Sequence, residues 1–268
     1  MITGYANNSR GVGVRSFQLI LPSVVCSTHL SKKVAEEVGA ITFSHQHGCA
    51  IIGPDVAGVN DFFVALAGHP NIHSTLVLGL GCETLQGNEL TESITVKFPE
   101  TRYVVIQESA GMTGALELSV EAARQLRVDA PHAPLDHLVI GVEGNPEAGL
   151  LDGFADLVAK AGHTLVLSND FKEPSRNFAK LIRERTHVIA SFPDANQPPT
   201  GLPLIPVVTI ANTQSLLHQA LVDDFDCRSG TSAEHLFERL LAVANGEASK
   251  SEAKKIGEIV VPRMVRSV

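Results

Sequence analysis

The ten residues STLVLGLGCE, at positions 74–83, contain a strand-length apolar run followed directly by chemically reactive side chains. Ser74–Leu80 is dominated by leucine and valine and shows no alternation of polar and apolar residues. Such a run is typical of a strand buried on both faces of a parallel sheet that is covered by helices. Cys82 and Glu83 come where this strand ends. The stretch therefore predicts both a fold class and a place for chemistry.

The same kind of run recurs along the chain and alternates with amphipathic segments of helical periodicity, which indicates strands joined by crossover helices. Predicted strands are Phe17–Val25, Ala40–Ser44, Ser74–Leu80, Tyr103–Glu108, His137–Val142, His163–Ser168, His187–Ser191 and Ile205–Ile210. Predicted helices are Leu30–Val38, Val56–Ala67, Gly114–Leu126, Gly149–Ala161, Ser175–Arg185, Thr213–Val222 and Ala233–Ala244, with Ser232 as the cap of the last. We predict an α/β fold with two Rossmann-like lobes, each built on a mainly parallel sheet flanked by helices.

Two proline-containing segments organise the chain. Val128–Pro134 lies between a predicted helix and a predicted strand and carries two prolines, which is typical of a domain boundary. We place the boundary near residue 131, which gives an N-terminal lobe, 1–130, and a C-terminal lobe, 131–268. The second segment, Phe192–Pro206, has five prolines and is predicted to be a surface loop.

Composition and charge disfavour several classes of function. The chain has 268 residues, of which 44% are hydrophobic, so a folded core is expected. It has 21 Lys and Arg against 29 Asp and Glu, a formal net charge of −8, and no basic run, so no nucleic-acid partner is expected. No apolar stretch reaches the ~18–20 residues of a membrane helix, and the N-terminus lacks a secretory signal pattern. We expect a cytoplasmic protein with no membrane span.

Cysteine, histidine and carboxylate residues follow each predicted strand of the N-terminal lobe. In chain order these segments are Cys26-Ser27-Thr28-His29, His45-Gln46-His47-Gly48-Cys49, Gly81-Cys82-Glu83 and Gln107-Glu108. The carboxyl ends of parallel strands lie along one edge of a sheet, where ligands usually bind, so we expect these side chains to converge. The alternative is that the cysteines are small buried hydrophobes and that His47 is a loop histidine bonded to the backbone.

Thiolate, imidazole and carboxylate groups are the ligands of transition metals such as iron, zinc or manganese. The sequence has no Cys-x-x-Cys pair, so a metal site would be assembled by the fold rather than by a zinc knuckle. Gly79-Leu80-Gly81 lacks the third glycine of a dinucleotide fingerprint, which disfavours NAD binding. We interpret these glycines as positions of close backbone approach or positive φ.

Several separated motifs carry a family resemblance. They are Gly4-Tyr5, Arg10-Gly11-Val12-Gly13-Val14-Arg15, Leu21-Pro22-Ser23-Val24-Val25-Cys26, His45-Gln46-His47-Gly48-Cys49, His69-Pro70-Asn71-Ile72, Val77-Leu78-Gly79-Leu80-Gly81-Cys82-Glu83, Ile106-Gln107-Glu108, Asp223-Asp224-Phe225-Asp226 and Val243–Glu252. Together they resemble the altronate/galactarate dehydratases, sugar-acid dehydratases that include the large subunit of a sulfolactate sulfo-lyase. We expect a shortened member without the family's small N-terminal accessory domain.

The resemblance implies a lyase that uses a divalent metal, Fe(2+), to eliminate water from a polyhydroxy sugar acid and form a 2-keto-3-deoxy acid. By this resemblance the residues fall into three groups: Glu83, Glu108 and His45 as catalytic groups, Cys26, Cys49, Cys82 and His47 as metal ligands, and Gln107, Asn145 and Thr28 as substrate contacts. The implied partners are a small anionic substrate and a small accessory subunit. A homo-oligomer is expected for a metabolic enzyme of this kind.

One motif departs from the family pattern. Glu143-Gly144-Asn145-Pro146 stands where the family has Cys-Gly-Gly-Ser-Asp after the corresponding strand. A second interpretation is therefore a non-catalytic or subunit-type relative that binds a small organic acid, or a sulfo-lyase subunit. Bound iron and the release of a 2-keto acid or of sulfite would distinguish these interpretations.

Overall fold

The computed structural model describes residues 2–49, 51–170, 175–212 and 214–263. The chain divides into two compact units. The N-terminal unit comprises Ala6–Gly11, Ser16–Pro131 and Ile259–Val268, and the C-terminal unit comprises Met1–Tyr5, Val12–Arg15 and His132–Glu258. Both units take their main body from one continuous segment and add short segments from elsewhere in the chain.

Ten strands and nine helices are assigned within the described residues. The strands are β1 (Ile2–Ala6), β2 (Val12–Gly13), β3 (Phe17–Pro22), β4 (Ile72–Gly79), β5 (Thr101–Val105), β6 (His132–Leu135), β7 (Val139–Gly144), β8 (Thr164–Ser168), β9 (Val188–Phe192) and β10 (Val207–Thr209). The helices are α1 (Thr28–Val38), α2 (Pro54–Ala67), α3 (Gly87–Thr95), α4 (Gly111–Leu126), α5 (Ala148–Lys160), α6 (Ser175–Arg183), α7 (Leu216–Ala220), α8 (Ala233–Ala244) and α9 (Lys250–Lys254). No described helix has the length and apolar character that a membrane crossing requires.

The N-terminal unit is built on a three-stranded parallel sheet in the order β3-β4-β5. Every residue of the central strand β4 is buried, including the polar His73, Ser74 and Thr75, and its apolar stretch 76–78 predicts burial on both faces. On one face, Ile20, Leu76 and Leu78 pack with residues of α1 and α4. The alternate residues Leu19 and Val77 are also fully buried, so both faces of the sheet are covered.

The C-terminal unit is built on a four-stranded parallel sheet in the order β10-β9-β7-β8, and a smaller sheet pairs β1 with β6 in antiparallel fashion. Ile140, Val142 and Val188 form a core with residues of α5 and α8. The Ser232 hydroxyl accepts the backbone N–H of His235 at 3.2 Å, which confirms the predicted cap of α8. The predicted α/β class with mainly parallel sheets is therefore confirmed.

The predicted strand Ala40–Ser44 is wrong. Only a single parallel bridge forms there, between Ile41 and Leu19. Beyond Ile41 the chain leaves the sheet edge, because the carbonyl of His47 accepts the backbone N–H of Val25 at 2.9 Å. The loop that carries the predicted His and Cys ligands is thus held by hydrogen bonds outside the sheet.

Other differences concern short elements. The predicted helix Thr213–Val222 includes Thr213, which lies outside the described residues, and α7 covers only Leu216–Ala220. Strands β1, β2 and β6 and helix α3 were not predicted. Two to five residues are too few for a strand to show periodicity, and α3 contains threonine, serine and asparagine, which favour helices weakly.

Candidate active site

Glu83 is a fixed carboxylate at the carboxyl end of the N-terminal sheet. It lies four residues after β4 and is only 2% exposed. The Ser23 hydroxyl donates to its Oε1 at 2.8 Å, and the backbone N–H of Gly81 donates to its Oε2 at 2.6 Å. Because both oxygens accept a hydrogen bond, the carboxylate is held in one orientation. The sequence predicted Glu83 at this edge but did not predict Ser23 as its partner.

Gly79 and Gly81 give Glu83 the space and the backbone geometry that it needs. A β-carbon at Gly79 would lie 2.6 Å from Oε1 of Glu83 and 2.6 Å from the hydroxyl oxygen of Tyr103. Gly81 has φ of +114°, which L side chains rarely adopt. Both predictions made for these glycines, close approach and positive φ, are confirmed.

Tyr103 on β5 places a phenol beside the two predicted catalytic carboxylates. Burial and the negative charges of Glu83 and Glu108 raise the pKa of Tyr103 to about 12. The phenol therefore stays protonated at neutral pH and can donate a hydrogen bond. Glu108 lies three residues beyond β5 and is exposed. Tyr103 was not predicted as a site residue, because it is the first residue of the predicted strand Tyr103–Glu108 and reactive side chains were expected only after strand ends.

Cys26, Cys49 and Cys82, which we call the thiol cluster, come from three separate segments, after β3, after Ile41 and after β4, and all three are exposed. The pKa of Cys49 is raised, first by loss of hydration and then by its thiol neighbours Cys82 and Cys26. A side-chain hydrogen bond with Cys82 and the charge of Glu83 raise it further. The hydroxyl of Thr84 donates to the backbone carbonyl of Cys49 and joins two of these loops. Cys49 is therefore a protonated and accessible thiol with thiol neighbours. The alternative of buried packing cysteines does not hold for the thiol cluster.

His45 is buried beneath its loop and surrounded by aromatic rings. It is 1% exposed, and its ring lies 5.5 Å from that of Phe63, centroid to centroid. Its Nδ1 accepts the backbone N–H of His47 at 3.0 Å, so the proton of the neutral ring sits on Nε2. Its own backbone N–H donates to the hydroxyl of Thr28 at 3.2 Å. Burial, and then the charge of His47, lower the pKa of His45 to about 4. The neutral ring can donate through Nε2, whereas the lone pair on Nδ1 already accepts the backbone N–H of His47.

The pKa of His45 predicts a pH dependence of stability. Between its ordinary pKa of 6.5 and the folded value of about 4, the unfolded chain binds a proton that the folded chain does not. We expect the free energy of unfolding to fall as pH drops through this range, by up to roughly 1.4 kcal/mol per unit of pKa difference. Urea unfolding at pH 7, 6 and 5 measures it. His45→Asn, which retains an acceptor for the His47 N–H, should reduce the slope, while exposed His29→Asn should not. Equal slopes in wild type and His45→Asn would contradict the prediction.

His47 and the thiol cluster do not form a ready coordination site. Nε2 of His47 lies 2.9 Å from the carbonyl oxygen of Val261 and must donate to it, which leaves only Nδ1 with a lone pair. Within the described residues, no three His, Cys, Asp or Glu side chains are placed to hold a metal ion. The donor types suit a transition metal, but their arrangement does not fit one as it stands.

Residues 259–263, which we call the C-terminal strap, hold the loop that carries His45 and His47. The side chain of Gln46 donates to the carbonyl of Ile259 at 3.0 Å and accepts the N–H of Val261 at 3.0 Å. Farther along, Arg263 donates through Nε to Oδ2 of Asp55 at 3.2 Å. The two hydrogen bonds of Gln46 satisfy two backbone groups of the strap and fix its register against the loop.

Gln46→Ala should release the loop from the C-terminal strap. Two hydrogen bonds at ~1 kcal/mol each amount to ~2 kcal/mol, or roughly a 30-fold increase in local opening. We expect faster hydrogen exchange of the amides of residues 44–49 and faster reaction of Cys49 with a thiol reagent. Gln125→Ala on exposed α4 is the matched control. Unchanged exchange in Gln46→Ala would show that the strap does not order this loop.

The remaining predicted substrate contacts lie at two places. Gln107 is exposed at the end of β5, and its Oε1 would lie 2.8 Å from a β-carbon at Gly81, so its side chain covers that turn. Thr28 begins α1 and uses its hydroxyl as the acceptor for His45. Asn145 belongs to the C-terminal unit, directly follows β7, and lines a cavity there. Nine of the ten predicted site residues thus belong to the N-terminal unit. Six lie in segments that follow β3, β4 or β5, and His45, His47 and Cys49 lie in the loop after Ile41.

Comparison with known proteins gives a family match for part of the chain. Residues 4–131 match the family described as D-galactarate dehydratase/altronate hydrolase, second domain. The matched segment contains the thiol cluster, Glu83, Tyr103 and Glu108. Through this segment the chain is similar to the altronate/galactarate dehydratase family.

Two curated relatives carry particular names. The chain is 29% identical over 189 residues to an altronate dehydratase of Bacillus subtilis strain 168. It is 28% identical over 188 residues to an altronate dehydratase of Escherichia coli strain K12. Each match covers 61% of this chain, but only 37% and 38% of the respective relatives. The chain thus matches less than two fifths of the length of either relative.

Proposed function

We propose that this chain is a sugar-acid dehydratase-like lyase that removes water from a polyhydroxy carboxylate to give a 2-keto-3-deoxy acid. The reaction site is the carboxyl edge of the N-terminal sheet. The observation that carries the proposal is the grouping of Glu83, Tyr103 and Glu108 within the segment that matches the dehydratase family. One anchored carboxylate, one protonated phenol and one accessible carboxylate suit an elimination that needs both a base and a proton donor.

The three groups take different roles because their surroundings differ. Glu108 is exposed and can take the proton on the carbon next to the substrate carboxylate. The phenol of Tyr103 remains protonated and can donate to the departing hydroxyl, which leaves as water. The resulting enol gains a proton on carbon and becomes the 2-keto acid. Glu83 accepts hydrogen bonds on both oxygens and holds the turn at Gly81 that leads to Cys82. A catalytic His45 would act only as a donor through Nε2.

Fe(2+) at the thiol cluster is a separate part of the proposal, and the soft donor set supports it. Binding would require side-chain rotations, because the described donors do not surround an ion as arranged. We expect anaerobic reconstitution of the full chain with Fe(2+) to give stoichiometric iron and a thiolate-to-iron absorption band. Cys49→Ser should lose both, whereas Cys227→Ser, at a buried cysteine of the C-terminal unit, should keep them. Equal iron in the two variants would exclude the thiol cluster as the metal site.

The activity is tested by incubating the chain with altronate, galactarate and sulfolactate and measuring 2-keto acid and sulfite. Each assay is run with and without a candidate small accessory subunit, and light scattering of the same samples tests the proposed homo-oligomer. Release of 2-keto acid supports the dehydratase, and release of sulfite supports the sulfo-lyase subunit. The alternative of an organic-acid-binding relative is supported by Glu143-Gly144-Asn145-Pro146, which stands where the family has Cys-Gly-Gly-Ser-Asp. Saturable binding of an acid without any product would establish that alternative and reject the lyase.

A further inference from the structure

The C-terminal unit has a cavity of its own at the carboxyl end of its parallel sheet. The cavity has a volume of about 150 Å³. It lies against residues that end or directly follow three neighbouring strands, namely Asn145 after β7, Phe192 at the end of β9 and Ile210 after β10. This is the edge at which α/β sheets place ligands. A cavity of ~150 Å³ holds a molecule the size of a six-membered ring.

A smaller hollow of about 20 Å³ adjoins this cavity, since Phe192, Pro193 and Asp194 line both. Glu143 at the end of β7 lines the hollow and is 7% exposed. Its Oε2 accepts the hydroxyl of Ser191 at 2.7 Å, and its Oε1 accepts the amide of Asn177 at 3.2 Å. The proposed dehydratase site does not use this buried carboxyl group.

Asn177 is itself held in place from two sides. Its Oδ1 accepts the hydroxyl of Ser168 at 3.0 Å and the backbone N–H of Asp170 at 2.7 Å. Burial and the charge of Asp194 raise the pKa of Glu143 against the opposing effect of its hydrogen bonds to Ser191 and Asn177. The end of β7 therefore carries a rigid, hydrogen-bonded polar floor rather than a mobile side chain.

The chemistry of the lining selects the class of ligand. The polar lining consists of amides and carboxylates such as Asn145, Asn212 and Asp194, and no Lys or Arg is found among the described residues around either space. An anion would face these carboxylates without a compensating cation. Phe192 and Pro193 add an apolar surface on which the C–H face of a ring can pack. Amides and carboxylates together bind hydroxyl groups as donors and acceptors.

We propose that the C-terminal unit binds an uncharged monosaccharide-sized polyol in the cavity between Asn145, Phe192, Asp194 and Asn212. The ring packs on Phe192 and Pro193, and its hydroxyl groups bond to the amides and to Asp194. This site goes beyond the proposed dehydratase function and does not depend on it, because its ligand is neutral and all of its residues belong to the C-terminal unit.

The test is a calorimetric titration of the full chain with glucose, glucuronate and glucosamine, which share a ring and differ in charge. We expect saturable binding of glucose and at least a tenfold weaker binding of glucuronate, which corresponds to about 1.4 kcal/mol. Asn145→Ala and Asn212→Ala, both at exposed positions, should each weaken glucose binding about fivefold or more. Asp152→Ala on the exposed face of α5 is the control.

Three results would overturn the proposal. They are the absence of glucose binding, binding of glucuronate that is as tight as that of glucose, and glucose binding that neither Asn145→Ala nor Asn212→Ala changes. Circular dichroism and the unfolding midpoint of each variant show whether a loss of binding reflects a loss of folding. A dehydratase assay on the same samples distinguishes failure of this proposal from failure of the proposed function, because glucose binding and dehydratase activity can each be absent without the other.

Discussion

Arg10→Met is expected to lower the free energy of unfolding by about 3–5 kcal/mol, the largest stability effect among the substitutions considered. Arg10 is fully buried. Its guanidinium donates to the carbonyl of Ala67 at 2.7 Å, to that of His73 at 3.1 Å, and to Oε2 of Glu100 at 2.9 Å. It therefore joins the end of α2, the start of β4 and the segment before β5. Methionine fills much of the volume but leaves these acceptors without their donor.

The measurement is denaturant unfolding of the wild type, Arg10→Met and Arg102→Met. Arg102 is an exposed arginine that bonds to Gln125, and its replacement should cost less than about 1 kcal/mol. The m-value should be unchanged if only the native state is affected. A loss in Arg10→Met no larger than in Arg102→Met would mean that the buried guanidinium is not an anchor of the N-terminal unit.

The fold class was predictable because strands β3 and β4 contain short apolar runs without polar alternation, at 19–21 and 76–78. Such a pattern can be recognised without knowledge of tertiary contacts, because a strand that is buried on both faces needs apolar side chains on both faces. The loop after Ile41 was not predictable in the same way. Its sequence resembles the end of a strand. The hydrogen bonds that hold it outside the sheet are made to Val25 and to the C-terminal strap, and Gln46 and Ile259 are 213 residues apart in the sequence.

The residue types of the site were predictable from the sequence, but the hydrogen-bond partners of its carboxylates were not. Strand-end position alone placed Glu83, Glu108 and the thiol cluster at one edge. The partner of Glu83 is Ser23, 60 residues earlier, and the partner of Glu143 is Ser191, 48 residues later. Serine is too common in sequences for such partners to be found without coordinates. The pairings nevertheless decide which carboxylate is fixed and which is accessible.

This difference between the carboxylates predicts opposite behaviour for two matched variants. Glu108→Gln should lower kcat for dehydration by ~10²–10⁴-fold with little change in KM, because it removes the base and leaves the shape of the site intact. Its unfolding midpoint should match that of the wild type, since Glu108 is exposed. Glu83→Gln should lower both activity and stability, because an uncharged amide has one oxygen for the two donors, Ser23 and the backbone N–H of Gly81, that the carboxylate accepts.

Glu117→Gln on the exposed face of α4 is the control for both variants. Tyr103→Phe removes the donor and should lower kcat without abolishing substrate binding. If Glu108→Gln retained full activity while Glu83→Gln lost it without loss of stability, the roles would have to be exchanged. The anchored carboxylate would then be the base, and its bonds to Ser23 and Gly81 would have to break or lengthen during turnover. Measuring kcat, KM and unfolding together on the same preparations distinguishes the two assignments.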